Sequence, residues 1–197
     1  VGNNAFGDSA LYAVGGGSHN IAIGSNALEA NLSSENIAIG SNALLKNVGG
    51  SNNMAIGVLA LNNNTSAINN IAIGGEALKA SNANDNVMVG YRAGSAITTG
   101  QQNTAVGNYA MLTNISGSNN TYLGYQAAQL QSNGSNNSFV GFLAGGNFLG
   151  GSNNTMIGTG ADASTVNAGH SNSTSIGAGA LVTQSNMVRL GNTSTTL

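Results

Sequence analysis

The side chains that could do acid–base chemistry are few and widely spaced along this chain of 197 residues. Hydrolysis by paired carboxylates needs two acids at a defined separation across a cleft. The six acids do not lie in one common column of the repeat described below, and we expect all of them to be exposed loop charges. They are Asp8, Glu29, Glu35, Glu76, Asp85 and Asp162. His19 and His170 are too far apart to cooperate, so the sequence predicts no enzyme, metal site or cofactor.

The charge balance excludes two further classes of function. The chain has four basic residues, a net charge of −2 and no cysteine. Nucleic-acid binding needs a basic stripe that neutralises phosphates, and anionic lipid attracts clusters of Lys and Arg. Neither is present, and no apolar run reaches the roughly 18 residues of a spanning helix. We therefore expect no nucleic-acid partner and no membrane contact from this segment.

A repeat dominates the sequence. Residues 20–28 return unchanged as 36–44, and variants of this unit continue to the end. Each unit has a glycine, here called the marker glycine, that follows an apolar residue and in eleven of twelve units precedes Ala by three positions. The marker glycines are Gly7, Gly24, Gly40, Gly57, Gly74, Gly90, Gly107, Gly124, Gly141, Gly158, Gly177 and Gly191. This predicts a single repeat domain over residues 1–197, with a closing coil at about 177–197.

The unit predicts a coil of a parallel β-solenoid. Ile21 and Ile23 alternate with Ala22, which is strand periodicity over a few residues. The marker glycine permits a positive φ or a close backbone approach, and Ala27 and Ala43 are small enough for a tight interior. Units this short must stack to bury a core. About twelve coils of 16–17 residues would form an all-β rod roughly 55 Å long.

Stacking also explains the composition. Asn stands four positions before the marker glycine in ten units. A column, meaning the equivalent positions of successive coils, brings these amides together so that they can hydrogen-bond along a ladder. Charged columns would repel, so the scarcity of charge is a consequence of the architecture.

The unit Asn-x-Ala-Ile-Gly-x-x-Ala, at 20–27, 36–43, 70–77 and (with Val106) 103–110, resembles the head repeats of YadA-like trimeric autotransporter adhesins. Similar repeats occur in trimeric tail-fibre and surface-fibre proteins of phages and bacteria. The resemblance covers essentially the whole chain. It implies a left-handed parallel β-roll, a side-by-side homotrimer, and display outside the cell, on a cell-surface fibre or a virion fibre. The usual head unit is shorter, which implies a longer outer loop per coil here.

One column is predicted to face the partner chains of such a trimer. If the Ile-rich columns on either side point into the coil, the column two positions before the marker glycine points out, and it stays uncharged through most of the chain. A plain exposed strand is the alternative. The predicted interface residues are Ala22, Ala38, Ala55, Ala72, Met88, Tyr122, Phe139 and Met156.

Aromatic residues are the candidates for ligand binding. Tyr91, Tyr125 and Phe142 directly follow marker glycines, Tyr109 lies one position further on, and Tyr125 should stack on Phe142. Such rings suit a sugar, which offers an apolar face and a rim of hydroxyls. Packing against a neighbouring subunit or filling a gap in a thin core is the alternative, and the sequence favours it.

A column of hydroxyl side chains raises a further alternative, an ice-binding solenoid. Three positions before the marker glycine, Ile, Met or Val gives way to Thr or Ser in the second half of the chain. The residues are Thr104, Thr121, Ser138, Thr155 and Thr174. We expect this column to point inward, which makes ice binding the less favoured reading.

The function that these patterns favour is a non-enzymatic adhesive and structural module of a trimeric surface fibre. In this function the side loops would each bind weakly to a matrix protein or glycan on a host or prey surface. Avidity would make the overall binding strong. The predicted loops are 29–35, 45–52, 112–119, 129–136 and 145–152. A pure fibre spacer and a phage-type tail-fibre segment are the alternatives.

Overall fold

The chain forms a parallel β-solenoid. A computed structural model describes residues 2–13, 15–164 and 169–192, and none of these is helical. The described strands are β1 (Asn4–Phe6), β2 (Ile21–Ile23), β3 (Ile37–Ile39), β4 (Met54–Ile56), β5 (Ile71–Ile73), β6 (Val87–Val89), β7 (Thr104–Val106), β8 (Thr121–Leu123), β9 (Ser138–Val140), β10 (Thr155–Ile157), β11 (Asp162–Ala163), β12 (Thr174–Ile176), β13 (Leu181–Val182) and β14 (Val188–Leu190).

The marker-glycine strands pair in one parallel sheet of twelve, in the order β1 to β10, then β12 and β14. The register keeps equivalent positions together, so that Ala22 pairs with Ala38 and Ala38 with Ala55. The chain makes about eleven turns of about 17 residues, which confirms the predicted solenoid. In the closing coil, β13 pairs with β11 as a second, two-stranded sheet, and residues 193–197 lie outside the described part.

The predicted asparagine ladder holds the coils in register. The backbone N–H of Asn36 donates to the Oδ1 of Asn20 at 2.9 Å, and the N–H of Asn53 donates to the Oδ1 of Asn36 at 3.0 Å. The Nδ2 of Asn53 also reaches the Ala67 carbonyl at 2.8 Å. The same pattern continues to Asn154, whose Oδ1 accepts the Ser173 N–H at 2.9 Å. Because these amides are buried, each satisfies backbone groups that have no access to water.

The marker positions require glycine for two reasons. The backbone of the next coil approaches closely there, and φ is positive. Gly24 has a φ of 131°, and a Cβ there would lie 2.7 Å from the carbonyl carbon of Gly40 in the next coil. The other scaffold glycines from Gly40 to Gly158 meet the next marker glycine in the same way. Ala27 and Ala43 are fully buried, as expected for a narrow interior.

The predicted trimer-facing column is wrong, because its side chains form the core of a single chain. All eight are fully buried within one copy: Ala22, Ala38, Ala55, Ala72, Met88, Tyr122, Phe139 and Met156. Period-2 alternation assigns neighbouring columns to opposite faces without saying which face is inside. A coil of about 17 residues has too narrow an interior for two columns of Ile, so Ala enters it and Ile remains outside.

The two columns that flank this core column therefore form the outer face of the sheet. Ile21 and Ile37 are partly exposed, as are Ile39 and Ile56, and Ile23 is exposed. The expectation that the Thr and Ser column points inward is wrong for the same reason. Its members are partly or fully exposed: Thr104, Thr121, Ser138, Thr155 and Thr174. We call this surface the sheet face; it is formed by the first and third residues of the twelve strands.

Candidate functional site

Four aromatic rings form a continuous ladder on the outside of the solenoid. Tyr91 and Tyr109 meet edge to face with ring centroids 5.5 Å apart, and Tyr109 meets Tyr125 in the same manner at 6.1 Å. Tyr125 and Phe142 are nearly parallel, with an interplanar angle of 9° and centroids 5.7 Å apart. The predicted stacking of Tyr125 on Phe142 is confirmed. We call these four residues the aromatic ladder.

The position of each ring follows from its place in the repeat. Tyr91, Tyr125 and Phe142 share the column after the marker glycine, which Asn108 occupies in the intervening coil. Tyr109, one position further on, bridges this gap and contacts the rings on both sides. The Asn108 Oδ1 accepts the backbone N–H of Tyr91 at 2.8 Å. An amide thus replaces the missing ring and ties two coils together.

The ladder leaves substantial aromatic surface in water. Tyr91 is 44% exposed and Phe142 49% exposed, although each ring touches a neighbour. Single exposed apolar residues are ordinary, whereas contiguous ones mark interaction sites. The rings contact one another across coils, so packing within the chain accounts for part of their surface and leaves the rest available to a ligand.

A small charged group borders the Tyr91 end of the ladder. The Glu76 carboxylate lies 3.5 Å from both Lys79 Nζ and Arg92 Nε. Arg92 directly follows Tyr91 in the chain. The neighbour of Glu76, Gly75, lies beside the Tyr91 ring, since a Cβ at Gly75 would be 3.3 Å from that ring. Such partly exposed pairs contribute little to stability. They make this end of the ladder polar, whereas its Phe142 end is apolar.

The predicted side loops close the coils rather than project freely from them. Asn31 and Asn47 lie within two of these loops and are fully buried, and Asn47 donates to the Asn31 Oδ1 at 2.8 Å. Leu32, Val48 and Ile115 are exposed in the same segments. Only a part of each loop is therefore available for contact with another molecule.

A cleft of about 240 Å³ lies beside the Phe142 end of the ladder. Its wall is formed by Gln129, Leu130, Leu143, Gly146, Asn147, Gly160, Asp162 and Leu181. Asp162 is only 3% exposed, so the expectation that it is an exposed loop charge is wrong. Burial raises the pKa of the Asp162 carboxyl, although backbone N–H groups of Asn147 and Ala163 donate to it and act in the opposite direction.

Sequence reasoning missed this cleft, although a signal was present. Asp162 occupies the column four positions after the marker glycine, where Leu28, Leu44 and Leu61 stand in earlier coils. The coils in between hold Leu78, Gly94, Met111, Ala128 and Gly145 at this position, so the Asp162 carboxylate is the first charged group in the column. That departure becomes informative only when the column is known to point inward.

A second buried polar pair lies in the core. Tyr122 donates its hydroxyl to the Gln131 Oε1, and both side chains are fully buried. Burial raises the pKa of the Tyr122 hydroxyl far above its ordinary value. The Tyr122 ring packs on Phe139 with centroids 5.0 Å apart. This pair is an interior contact and lies apart from the exposed ladder.

Several other ionisable residues lie on the surface. Asp8, Glu35, Asp85 and His19 are exposed. Among the described residues no three His, Asp or Glu side chains are grouped so that they could hold a metal ion. Within the same ranges no helix has the length and apolar character needed to cross a membrane.

Comparison of the sequence with protein-family models and with curated proteins finds no match for this chain.

Proposed function

We propose that this chain is an adhesive and structural segment of a trimeric surface fibre, displayed outside a cell or on a virion, with no enzymatic role. The observation that carries the adhesive part is the aromatic ladder. Four rings in contact over successive coils, at an unvarying coil spacing, give a rigid and partly exposed binding strip. Aromatic residues dominate the energy of many interfaces because they bury large surfaces at low entropic cost.

A glycan or a matrix protein on a host or prey surface is the proposed partner. Each copy of the chain contributes one ladder, and three copies in one fibre present three. Weak contacts then add through effective concentration rather than through a single tight site. The exposed parts of the side loops, such as Leu32 and Ile115, supply further contacts along the same rod.

The trimer part of the proposal is supported by the sheet face. From β2 to β12 its outward positions hold no charged side chain, and most carry Ile, Val, Leu or Met. A contiguous apolar surface of this kind is typical of an interaction site. Every copy carries the same columns at the same coil spacing, so two rods can align side by side along their whole length. The interface that we now propose is thus the two flanking columns and not the alanine column between them.

The mass in solution tests the trimer. One chain has a mass of 19.4 kDa, so light scattering should give three times that value. Ile39→Lys together with Ile56→Lys places charges on the sheet face and should yield monomers that keep their β-type circular dichroism spectrum. The matched control is Val48→Lys with Ile115→Lys, which alters exposed apolar residues outside that face. A monomeric parent protein would contradict the trimer proposal.

Binding to surfaces tests the adhesive role. Replacement of Tyr91, Tyr125 and Phe142 by Ser should reduce adhesion to glycan-bearing cells or immobilised matrix protein by at least tenfold, while the mass stays unchanged. The control replaces Tyr12 and Val58, which are exposed apolar residues outside the ladder and the side loops. If the ladder variant adheres as well as the parent protein, the spacer function replaces the adhesive one.

The outward hydroxyl column favours a second candidate function, ice binding. Thr104, Thr121, Ser138 and Thr155 are in register on successive strands, at a spacing of roughly 4.8 Å. They lie beside the outward apolar side chains of Val106, Leu123 and Ile157. Such a regular array of hydroxyls and methyl groups can order water. Thermal hysteresis in dilute solution that is lost in Thr121→Lys would support this function. A trimer without hysteresis would exclude it, because the same face would be covered.

A further inference from the structure

We propose that the cleft around Asp162 is a binding site for one neutral sugar ring, with the Asp162 carboxyl as the acceptor for a sugar hydroxyl. This inference deepens the proposed adhesive function and rests on it for the biological source of the sugar. It concerns a different set of residues from the aromatic ladder. The two can therefore be tested separately.

The geometry of Asp162 leaves it able to bind a ligand. Its Oδ2 accepts the Asn147 N–H at 2.9 Å, and its Oδ1 accepts the Ala163 N–H at 2.8 Å. A carboxylate offers about four acceptor positions. The Asn147 side chain donates a third hydrogen bond to this group, so one position remains for a ligand. The backbone bonds hold the group in place in the cleft wall, as a preorganised acceptor requires.

The wall of the cleft departs from the repeat at Asp162. In the column of Asp162, the earlier coils carry uncharged residues that vary in size, from Leu28, Leu44 and Leu61 to Gly94, Met111, Ala128 and Gly145. Here the wall includes Gly146 and Gly160, which have no side chains to occupy the cleft. A buried acid in an otherwise uncharged column costs stability. Departures of this kind from an otherwise consistent repeat are expected at functional sites.

The lining selects the chemistry of the ligand. Gln129 and Asn147 supply amide side chains, which both donate and accept, and Asp162 accepts. Leu130, Leu143 and Leu181 supply apolar surface on the same wall. A sugar ring has hydroxyls on its rim and an apolar C–H face, so it matches both parts. An anion would be repelled by the carboxylate, and a metal ion would need more acceptors than this single acid.

Size and position are consistent with one ring at the end of a longer glycan. The volume of about 240 Å³ lies below the roughly 300 Å³ at which drug-sized sites begin. Leu143 in the cleft wall directly follows Phe142 of the ladder, and the Gly160 N–H donates to the Phe142 carbonyl at 2.9 Å. A glycan whose terminal ring occupies the cleft can therefore continue onto the aromatic ladder.

Saturation-transfer NMR of the full chain tests the site with two kinds of probe. The first is a set of methyl glycosides of glucose, galactose, mannose and N-acetylglucosamine at millimolar concentration. The second is a set of neutral oligosaccharides that end in the same sugars. The variants are Asp162→Leu, which puts an apolar side chain of the kind found in the first coils into the cleft wall, and Asp162→Asn, which keeps the shape but removes the charge. Asp85→Asn, at an exposed acid, is the control.

We expect at least one methyl glycoside to bind the parent protein and the Asp85→Asn protein equally. Asp162→Leu should abolish this binding, and Asp162→Asn should weaken it about tenfold, with thermal unfolding used to verify that both variants fold. Tyr125→Ala with Phe142→Ala should weaken oligosaccharides and leave methyl glycosides unaffected. Absence of binding by every monosaccharide, or unchanged binding by Asp162→Leu, would overturn the inference. Loss of surface adhesion in the ladder variant would still support the proposed function in that case.

Discussion

Phe139 and Gly145 share one space in the interior of the solenoid, since a Cβ at Gly145 would overlap the Phe139 ring. The same six-residue separation joins Met88 to Gly94, where a Cβ would lie 2.9 Å from the Met88 Sδ. Coils with Ala in the first of these columns have a large residue in the second. The pairs are Ala22 with Leu28, Ala38 with Leu44, Ala55 with Leu61, Ala72 with Leu78 and Ala105 with Met111. The two columns therefore compensate each other in volume.

The compensation predicts strong coupling between Phe139 and Gly145. Phe139→Ala alone should lower the free energy of unfolding by about 3–5 kcal/mol because it leaves a cavity, and Gly145→Leu alone should destabilise by overpacking. The double variant recreates the Ala–Leu pair of earlier coils, where Leu28 and Leu44 adopt the same left-handed conformation. The loss of unfolding free energy in the double variant should be about 2 kcal/mol smaller than the sum of the two single losses. Urea titration of all four proteins measures this, and additive losses would contradict it.

Marker glycines should not tolerate any side chain. Gly57 has a φ of 135°, and a Cβ there would lie 2.6 Å from the carbonyl carbon and oxygen of Gly74. Backbone atoms cannot give way as a flexible side chain can, so Gly57→Ala should cost about 3 kcal/mol in the free energy of unfolding. Gly150→Ala is the control, because nothing lies within 4 Å of a Cβ there. Equal losses for the two variants, measured by urea denaturation, would refute this explanation.

The asparagine ladder should be sensitive to loss of a single amide. The Asn103 side chain donates to the Gly117 carbonyl at 2.9 Å and accepts the Asn120 backbone N–H at 3.0 Å. Asn103→Leu leaves both buried groups unpaired, at a cost of roughly 1–3 kcal/mol each. We therefore expect a loss of about 4 kcal/mol. Asn133→Leu should change the free energy of unfolding little, because Asn133 is exposed and its side chain accepts only from Ser116.

Asp162 should make stability depend on pH in a defined direction. Burial raises its pKa in the folded chain above the ordinary 3.8. The folded state thus binds this proton more tightly than the unfolded state, so the contribution to stability is complete below 3.8 and is lost as the pH rises through the raised pKa. The free energy of unfolding of the parent protein should fall over that range relative to Asp162→Asn. Subtracting the two curves removes the effect of the other acids, and parallel curves would show that Asp162 titrates normally.

The kind of fold follows from the repeat pattern. The marker glycines, the alternation in Ile21–Ile23 and the asparagine column recur in phase, and a short unit with these features can bury its apolar residues only by stacking. The aromatic ladder was also within reach, because residues in one column must lie above one another. The equivalent positions of successive units, and the number of residues between them, can be read directly from the sequence.

The tertiary structure alone decided which columns lie inside. Alternation distinguishes two faces but does not name them, and the usual rule that large apolar residues go inward fails where the interior is narrower than two Ile side chains. Ala38 is therefore fully buried while its neighbour Ile39 remains partly exposed. The turns of the backbone after each strand decide which side chains of different columns meet. They let Tyr109 bridge the gap at Asn108. They also bring Asp162, Gln129 and Asn147 into one cleft. Those turns set distances between columns, which the repeat pattern does not encode.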